Sequence, residues 1–197
     1  MKTLTKILLP AFAAFALAGC SGPLFSVFPK ESGDAPTRRF VLSSEVAAGT
    51  ELPDVTFERI TIPAYLDVPQ IVTREGNEIS RSEKNRWGEP LARGVARVLA
   101  LRCSAVASTR GVKPAPTESV RVAVERFDGS PDGNVEISAR YALIPKAESA
   151  AKSVEFRLFR ASVPVSAPND YAAYVRALDA ALTALAEDVV SRLGDEK

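Results

Sequence analysis

Histidine is absent from all 197 residues of the chain. Because histidine is the commonest general base and the commonest zinc ligand, its absence argues against catalysis and metal binding. The sequence also lacks a phosphate-binding glycine loop, a GxSxG nucleophile motif and an HExxH zinc motif. We therefore expect no enzyme activity, no cofactor and no metal. A hydrolase built on paired carboxylates is the catalytic alternative, with candidate acids at Glu75, Glu78, Glu83 and Glu89.

An excess of basic residues is absent as well. The formal net charge is +1, and leaving out Lys2 and Lys6 of the N-terminal leader changes it to −1. Lysine and arginine form no basic stripe, so we expect no nucleic-acid partner. A length of 197 residues and a hydrophobic content of 46% suit one globular domain with a proper core.

Cysteine occurs only twice, at Cys20 and Cys103. Cys20 follows Leu17-Ala18-Gly19, which resembles a bacterial lipoprotein cleavage box, and the apolar run before it is too short to span a membrane. We predict a lipoprotein signal peptide over residues 1–19 and an acylated Cys20 that anchors the mature chain permanently. A plain signal peptide with a chance cysteine is the alternative. Ser21, in place of aspartate, favours the outer membrane by analogy with the usual bacterial sorting rule.

The segment after the lipidated cysteine is predicted to be a tether, so residues 20–37 form the second unit of the chain. It is rich in the residues that interrupt regular structure, namely Gly22, Pro23, Pro29, Gly33 and Pro36. Its apolar residues are predicted to lie either on the membrane surface or on the flank of the domain; they are Leu24, Phe25, Val27 and Phe28.

The second cysteine becomes a single thiol if Cys20 is acylated. We expect Cys103 to be a small buried apolar residue, as free cysteines commonly are. A catalytic thiol is the alternative, but it would need a neighbouring base and the chain offers no histidine.

Hydrophobic periodicity predicts one α+β domain over residues 38–197. The predicted strands cover residues 38–45, 57–65, 71–74, 78–81, 120–124, 135–143 and 154–163. Helices are predicted from Pro90 to near Ala107, and from Asn169 or Asp170 to Gly194. We expect a mostly antiparallel sheet, made of a hairpin and a meander, with both amphipathic helices packed on one face as an α/β sandwich. A partner-binding role for the last helix is the alternative to its covering the sheet.

One stretch of the chain carries a family resemblance. It combines Tyr-Leu-Asp-x-Pro-Gln-Ile-Val-x-Arg over residues 65–74, Arg-Trp-Gly-Glu-Pro-Leu over residues 86–91 and Val-x-Arg-Val-Leu over residues 95–99. This combination resembles the PqiC-type auxiliary lipoproteins of envelope ABC transport systems. The resemblance implies a similar α/β sandwich for the auxiliary lipoprotein domain.

The resemblance also implies a function and partners. The protein is expected to be a periplasmic accessory lipoprotein, anchored in the outer membrane, of an ABC-type intermembrane lipid transport system. It would dock the conduit formed by an MCE-domain protein, which works with an ABC permease and ATPase on phospholipids or other hydrophobic cargo. A ring-like homo-oligomer is a further implication. The alternative is a structural lipoprotein that stabilises an outer-membrane assembly without moving lipid.

The same stretch supplies the candidate partner-binding residues. They are Tyr65, Leu66, Pro69, Arg74, Trp87, Glu89, Pro90 and Leu91. Trp87 is either an interface anchor or a residue that closes the core where hairpin meets helix. Arg74 either pairs with Glu89, locking hairpin to helix, or faces a partner or a lipid headgroup. Tyr65, Leu66 and Pro69 form either edge packing or a contact ridge.

Overall fold

The computed structural model describes residues 36–43, 45, 55–113, 118–129, 133–145, 154–167 and 170–195. The predicted signal peptide, Cys20 and nearly all of the predicted tether lie outside the described residues. The strands are β1 (Arg38–Phe40), β2 (Phe57–Thr61), β3 (Gln70–Glu75), β4 (Glu78–Trp87), β5 (Glu118–Gly129), β6 (Asn134–Pro145) and β7 (Arg157–Pro164). The helices are α1 (Leu91–Arg110), between β4 and β5, and α2 (Tyr171–Asp195), after β7.

The described strands form one mixed sheet in the order β1-β4-β3-β5-β6-β7. Antiparallel pairs join β3 to β4, β5 to β6 and β6 to β7. Parallel pairs join β1 to β4 and β2 to the start of β5, while β3 meets the end of β5 at Thr73 and Gly129. The predicted α+β fold with a mostly antiparallel sheet is confirmed, and the parallel pairs are an addition to it.

Three predicted strands are shorter than expected, and the last of them, β7, begins at Arg157 rather than at residue 154. The first ends at Phe40 because Leu42 turns inward, where it is 2% exposed, and the backbone N–H of Ser43 donates to Asp179. The second ends at Thr61 because the chain turns at Pro63, whose carbonyl accepts a 3.0 Å hydrogen bond from the Leu66 N–H.

Local hydrogen bonds cap the end of α1 and the start of α2. Gly111 follows α1 with a φ of 65°, and its N–H caps the carbonyls of Ala107 and Ser108. The helix thus runs three residues beyond the predicted end, because Gly111 supplies the left-handed cap. Asp170 accepts a 3.0 Å hydrogen bond from the Ala172 N–H at the start of α2, as predicted. Gly194 does not end α2, which includes Asp195.

The core lies between the two helices and one face of the sheet, called here the inner face. Alternate residues of β5 and β6 supply this face, and the predicted stripe of α2 packs on it. The buried stripe is Tyr171, Tyr174, Val175, Leu178, Leu182, Leu185, Val189 and Leu193. Cys103 of α1 is fully buried, and burial raises the pKa of its thiol far above the usual value. This environment suits a packing residue and disfavours a reactive thiolate.

Candidate functional site

The hairpin and α1 meet at one corner of the domain. Gly76, with a φ of 58°, and Asn77 connect β3 to β4, so the predicted tight turn is present. At the other end of the hairpin, the Trp87 N–H donates to the Pro69 carbonyl at 2.7 Å. The N–H of Gly88 donates to the Phe40 carbonyl at 2.7 Å, which places β1 beside the same corner.

A groove of about 470 Å³ opens at this corner, and we call it the corner groove. Two segments line it, residues 67–69 and residues 87–90, and both belong to the stretch that carries the family resemblance. Apolar atoms form most of its surface, while Asp67 is exposed and Glu89 half-buried at its rim. Such a groove can take an apolar side chain.

Three of the predicted contact residues lie in the core. Leu66 is 1% exposed, Leu91 is 3% exposed and Trp87 is 6% exposed. The structure therefore supports the packing interpretation of Trp87, although one side of this residue still lines the corner groove. Pro69 and Pro90 are exposed and are the residues from which a partner could be contacted directly.

The predicted ion pair between Arg74 and Glu89 is not formed. Glu89 instead pairs with Arg97 of α1, and the Arg74 Nε donates to the Gly76 carbonyl at 2.8 Å. The prediction failed because Arg74 lies beside the turn of the hairpin, opposite Ile79, whereas Glu89 follows the far end of β4. Glu89 lies over the start of α1, where a Cβ added at Gly94 would lie 3.3 Å from its Oε1. Glycine at position 94 thus provides the space in which Glu89 lies.

A polar network lies beneath the ridge predicted at Tyr65, Leu66 and Pro69. The Tyr65 hydroxyl donates to Asp128 at 2.8 Å, and the Arg126 Nε donates to the same carboxylate at 2.7 Å. Burial, together with Asp128, raises the pKa of Tyr65 to about 12. Sequence reasoning missed this network because the strand predicted over residues 120–124 ends before Asp128 and Gly129. The residues instead end β5, and the Asp128 side chain is fully buried.

A second missed cluster ties the segment after β1 to both helices. Both carboxylate oxygens of Asp179 accept from the Ser43 N–H at 3.0 Å, and Arg102 lies 3.8 Å from the same carboxylate. Burial raises the pKa of Asp179, with the Ser43 N–H and the Arg102 charge opposing that rise. Asp179 lies outside the apolar stripe of α2, and helical periodicity predicts that a polar residue there faces solvent. No helical periodicity could reveal its partner, which lies 136 positions away.

The described residues contain no group of three or more metal-ligating side chains of the His, Cys, Asp or Glu type. Within the same residues, neither helix is long and apolar enough to cross a membrane. The corner groove and the network under Tyr65 offer surfaces for recognition.

Comparisons with known proteins give a family match and a fold match. A family model described as ABC-type transport auxiliary lipoprotein component matches residues 41–190. One solved structure, of an uncharacterized protein, has a TM-score of 0.63 at 18% identity and covers 81% of this chain and 99% of its own. Another, protein XCC0632 of Xanthomonas campestris, described by the family model DUF330, has a TM-score of 0.55 at 19% identity, with coverages of 78% and 92%. The search of curated proteins gives no match.

Proposed function

The chain belongs to the family of ABC-type transport auxiliary lipoprotein components, and from this premise we propose a docking role for it. It serves as the accessory lipoprotein of an intermembrane lipid transport system, held at the periplasmic face of the outer membrane by an acylated Cys20. There it docks the MCE-domain protein that forms the conduit from the ABC permease and ATPase.

The observation that carries this proposal is the position of the corner groove. The two most distinctive segments of the stretch with the family resemblance converge on it, although they are separated in sequence by β3 and β4. Their large side chains at Leu66, Trp87 and Leu91 build the floor and the core beneath it. The exposed Pro69 and Pro90 remain available to a partner, whose matching element would be an apolar side chain.

The proposed anchor would favour the same role. The chain enters the described domain at β1, which pairs with the end of β4 so that Phe40 lies opposite Trp87 at the corner. An acylated Cys20 and a short tether would confine the corner groove to a thin layer next to the membrane. Confinement raises the effective concentration of the groove at the end of the conduit without any new contact.

The test is an affinity pull-down from detergent-solubilised envelopes with the full-length, Cys20-anchored protein. Pro90→Asp places a carboxylate in the groove at the residue that precedes α1, a position where aspartate is a favoured cap. We expect the parent to retain an MCE-domain protein with its permease, and the variant to lose them. Pro164→Asp at the end of β7 makes the same change at another exposed proline and should leave the partners bound.

Each result has a clear meaning. Loss with Pro90→Asp alone supports the corner groove as the docking face. Equal retention by both variants keeps the transport assignment and rejects the groove. Recovery of outer-membrane assembly proteins only, or of no protein, rejects the docking role and favours the structural alternative.

A further inference from the structure

We propose that the outer face of the sheet, opposite the helices, carries a binding site for the phosphate group of a lipid. The site is a groove of about 560 Å³, called here the arginine groove, which spans β3, β5, β6 and β7. Its polar lining consists of Arg74, Glu125, Arg126, Glu136, Ser138, Arg160 and Ser162. The inference is independent of the docking role, because it concerns different residues on a different surface.

A β-bulge in β5 builds the centre of the groove. The register with β6 shifts between Val124 and Arg126, and both Val124 and Phe127 are buried in the core. The bulge therefore directs two consecutive side chains, Glu125 and Arg126, away from the helices. Arg126, Ser138 and Arg160 then lie side by side on β5, β6 and β7.

The charges of the groove do not cancel. Arg126 is paired with Asp128 and Glu136, and Glu125 is paired with Arg140. Within the described part of the chain, neither Arg74 nor Arg160 forms an ion pair with a carboxylate.

Within the described residues, Arg74 forms its hydrogen bonds with neutral groups. It donates to the Gly76 carbonyl at 2.8 Å and also interacts with the Tyr65 hydroxyl, which is already committed to Asp128. A half-buried guanidinium without a counter-ion favours an anion, and the forked geometry of two arginines matches the oxygens of a phosphate.

Exposed apolar side chains beside the groove favour a lipid over a free phosphate. Leu158 lies two residues before Arg160 on β7, so the two side chains share the outer face. Leu158 is 49% exposed and Phe156, two residues earlier, is 47% exposed. Exposed apolar side chains that adjoin at the edge of a groove provide a surface that an acyl chain can cover. An acyl chain lying on Leu158 and Phe156 would place its phosphate between Arg160 and Arg74.

The test measures binding to the full-length protein in a non-ionic detergent by isothermal titration calorimetry. The two probes are dihexanoyl phosphatidic acid and inorganic phosphate. We expect the lipid to bind at least about tenfold more tightly than inorganic phosphate, and Arg74→Gln/Arg160→Gln to weaken lipid binding at least about tenfold. Arg39→Gln/Arg93→Gln removes two exposed arginines elsewhere and should change nothing. Phe156→Ser/Leu158→Ser should remove the preference for lipid over phosphate.

Several results would overturn the proposal. Equal affinity for the two probes would identify a free-phosphate site, and an equal loss in the control would identify non-specific attraction. An unchanged affinity in Arg74→Gln/Arg160→Gln, or no binding by the parent, would exclude the groove. If that variant does not fold, the single variants Arg74→Gln and Arg160→Gln decide, because each removes one of the two proposed phosphate contacts and should weaken lipid binding by itself. Retention of the transport partners by the arginine variant would separate this test from the docking test.

Discussion

The two faces of the sheet are built from the same strands but follow different rules. The inner face consists of apolar side chains covered by α1 and α2, such as Val122, Val135 and Ile137. The outer face carries ion pairs between neighbouring strands, among them Arg121 with Glu58 and Arg140 with Glu125. Alternation along β5 and β6, interrupted by the bulge at Glu125 and Arg126, separates the two sets. The inner face therefore determines stability, and the outer face is where a ligand can be recognised.

The largest difference in stability is expected between a leucine-to-alanine substitution in the core and the same substitution on the outer face. Leu182→Ala in α2 removes a fully buried side chain and should lower the free energy of unfolding by about 2–5 kcal/mol. Leu158→Ala on the outer face removes a side chain that is 49% exposed, and should cost less than about 1 kcal/mol. Urea denaturation followed by circular dichroism gives both values. Equal losses would mean that the outer face is covered in solution.

A smaller loss of stability is expected when the buried carboxylate of Asp128 is removed. Asp128→Ala leaves Arg126 and the Tyr65 hydroxyl without their shared acceptor, so the free energy of unfolding should fall by about 1.5–3 kcal/mol. Asp67→Ala removes an exposed carboxylate and serves as the control in the same denaturation experiment. A loss no greater than that of the control would contradict a structural role for the network.

A further prediction concerns the way in which Asp179 makes the stability of the protein depend on pH. The pKa of Asp179 is raised above the usual value of 3.8, because burial disfavours its charge. Its stabilising contribution is therefore complete below about pH 3.8 and is lost as the pH rises through the raised pKa. Relative to Asp179→Asn, the parent should gain stability between pH 7 and pH 4. A difference that stays constant, or that moves against the parent, would show that Ser43 and Arg102 dominate over burial.

The smallest effect is expected from an ion pair of the outer face. Arg140 and Glu125 are 57% and 37% exposed, so water screens their attraction. Arg140→Gln should change the free energy of unfolding by about 0–1 kcal/mol, and the change should shrink further in high salt. Denaturation in low and high salt checks this, and a loss above about 2 kcal/mol would mean that the pair is less hydrated than its exposure indicates.

Sequence reasoning reached the fold through periodicity. The alternation in β5 and β6 and the stripe of α2 predicted the sheet, both helices and the shared face, because these patterns report local burial directly. It could not reach the parallel pairs of β1 and β2, which depend on long-range register. Periodicity alone also predicts that Asp179 faces solvent. It describes a helix face but cannot identify the backbone N–H of Ser43, which donates to this carboxylate.

The candidate site was predicted less completely than the fold. The stretch over residues 65–91 forms one corner of the domain, and the corner groove forms from it. Sequence reasoning did not distinguish the residues that build the floor, such as Trp87, from the exposed Pro69 and Pro90. The arginine groove depends on a bulge and on four strands meeting, and an isolated sequence gives no signal for either. The sequence identified Arg74 as a candidate contact residue, but the ion pair predicted between Arg74 and Glu89 is not formed.

The most direct test of the docking role is site-specific photo-crosslinking in intact envelopes. A photoreactive amino acid replaces Pro90 in the corner groove, or Pro164 at the end of β7 as the control, in the full-length anchored protein. The account predicts that position 90 captures an MCE-domain protein, identified by mass spectrometry, and that position 164 does not. Capture of that protein from position 164 alone, or from neither position, would contradict the account.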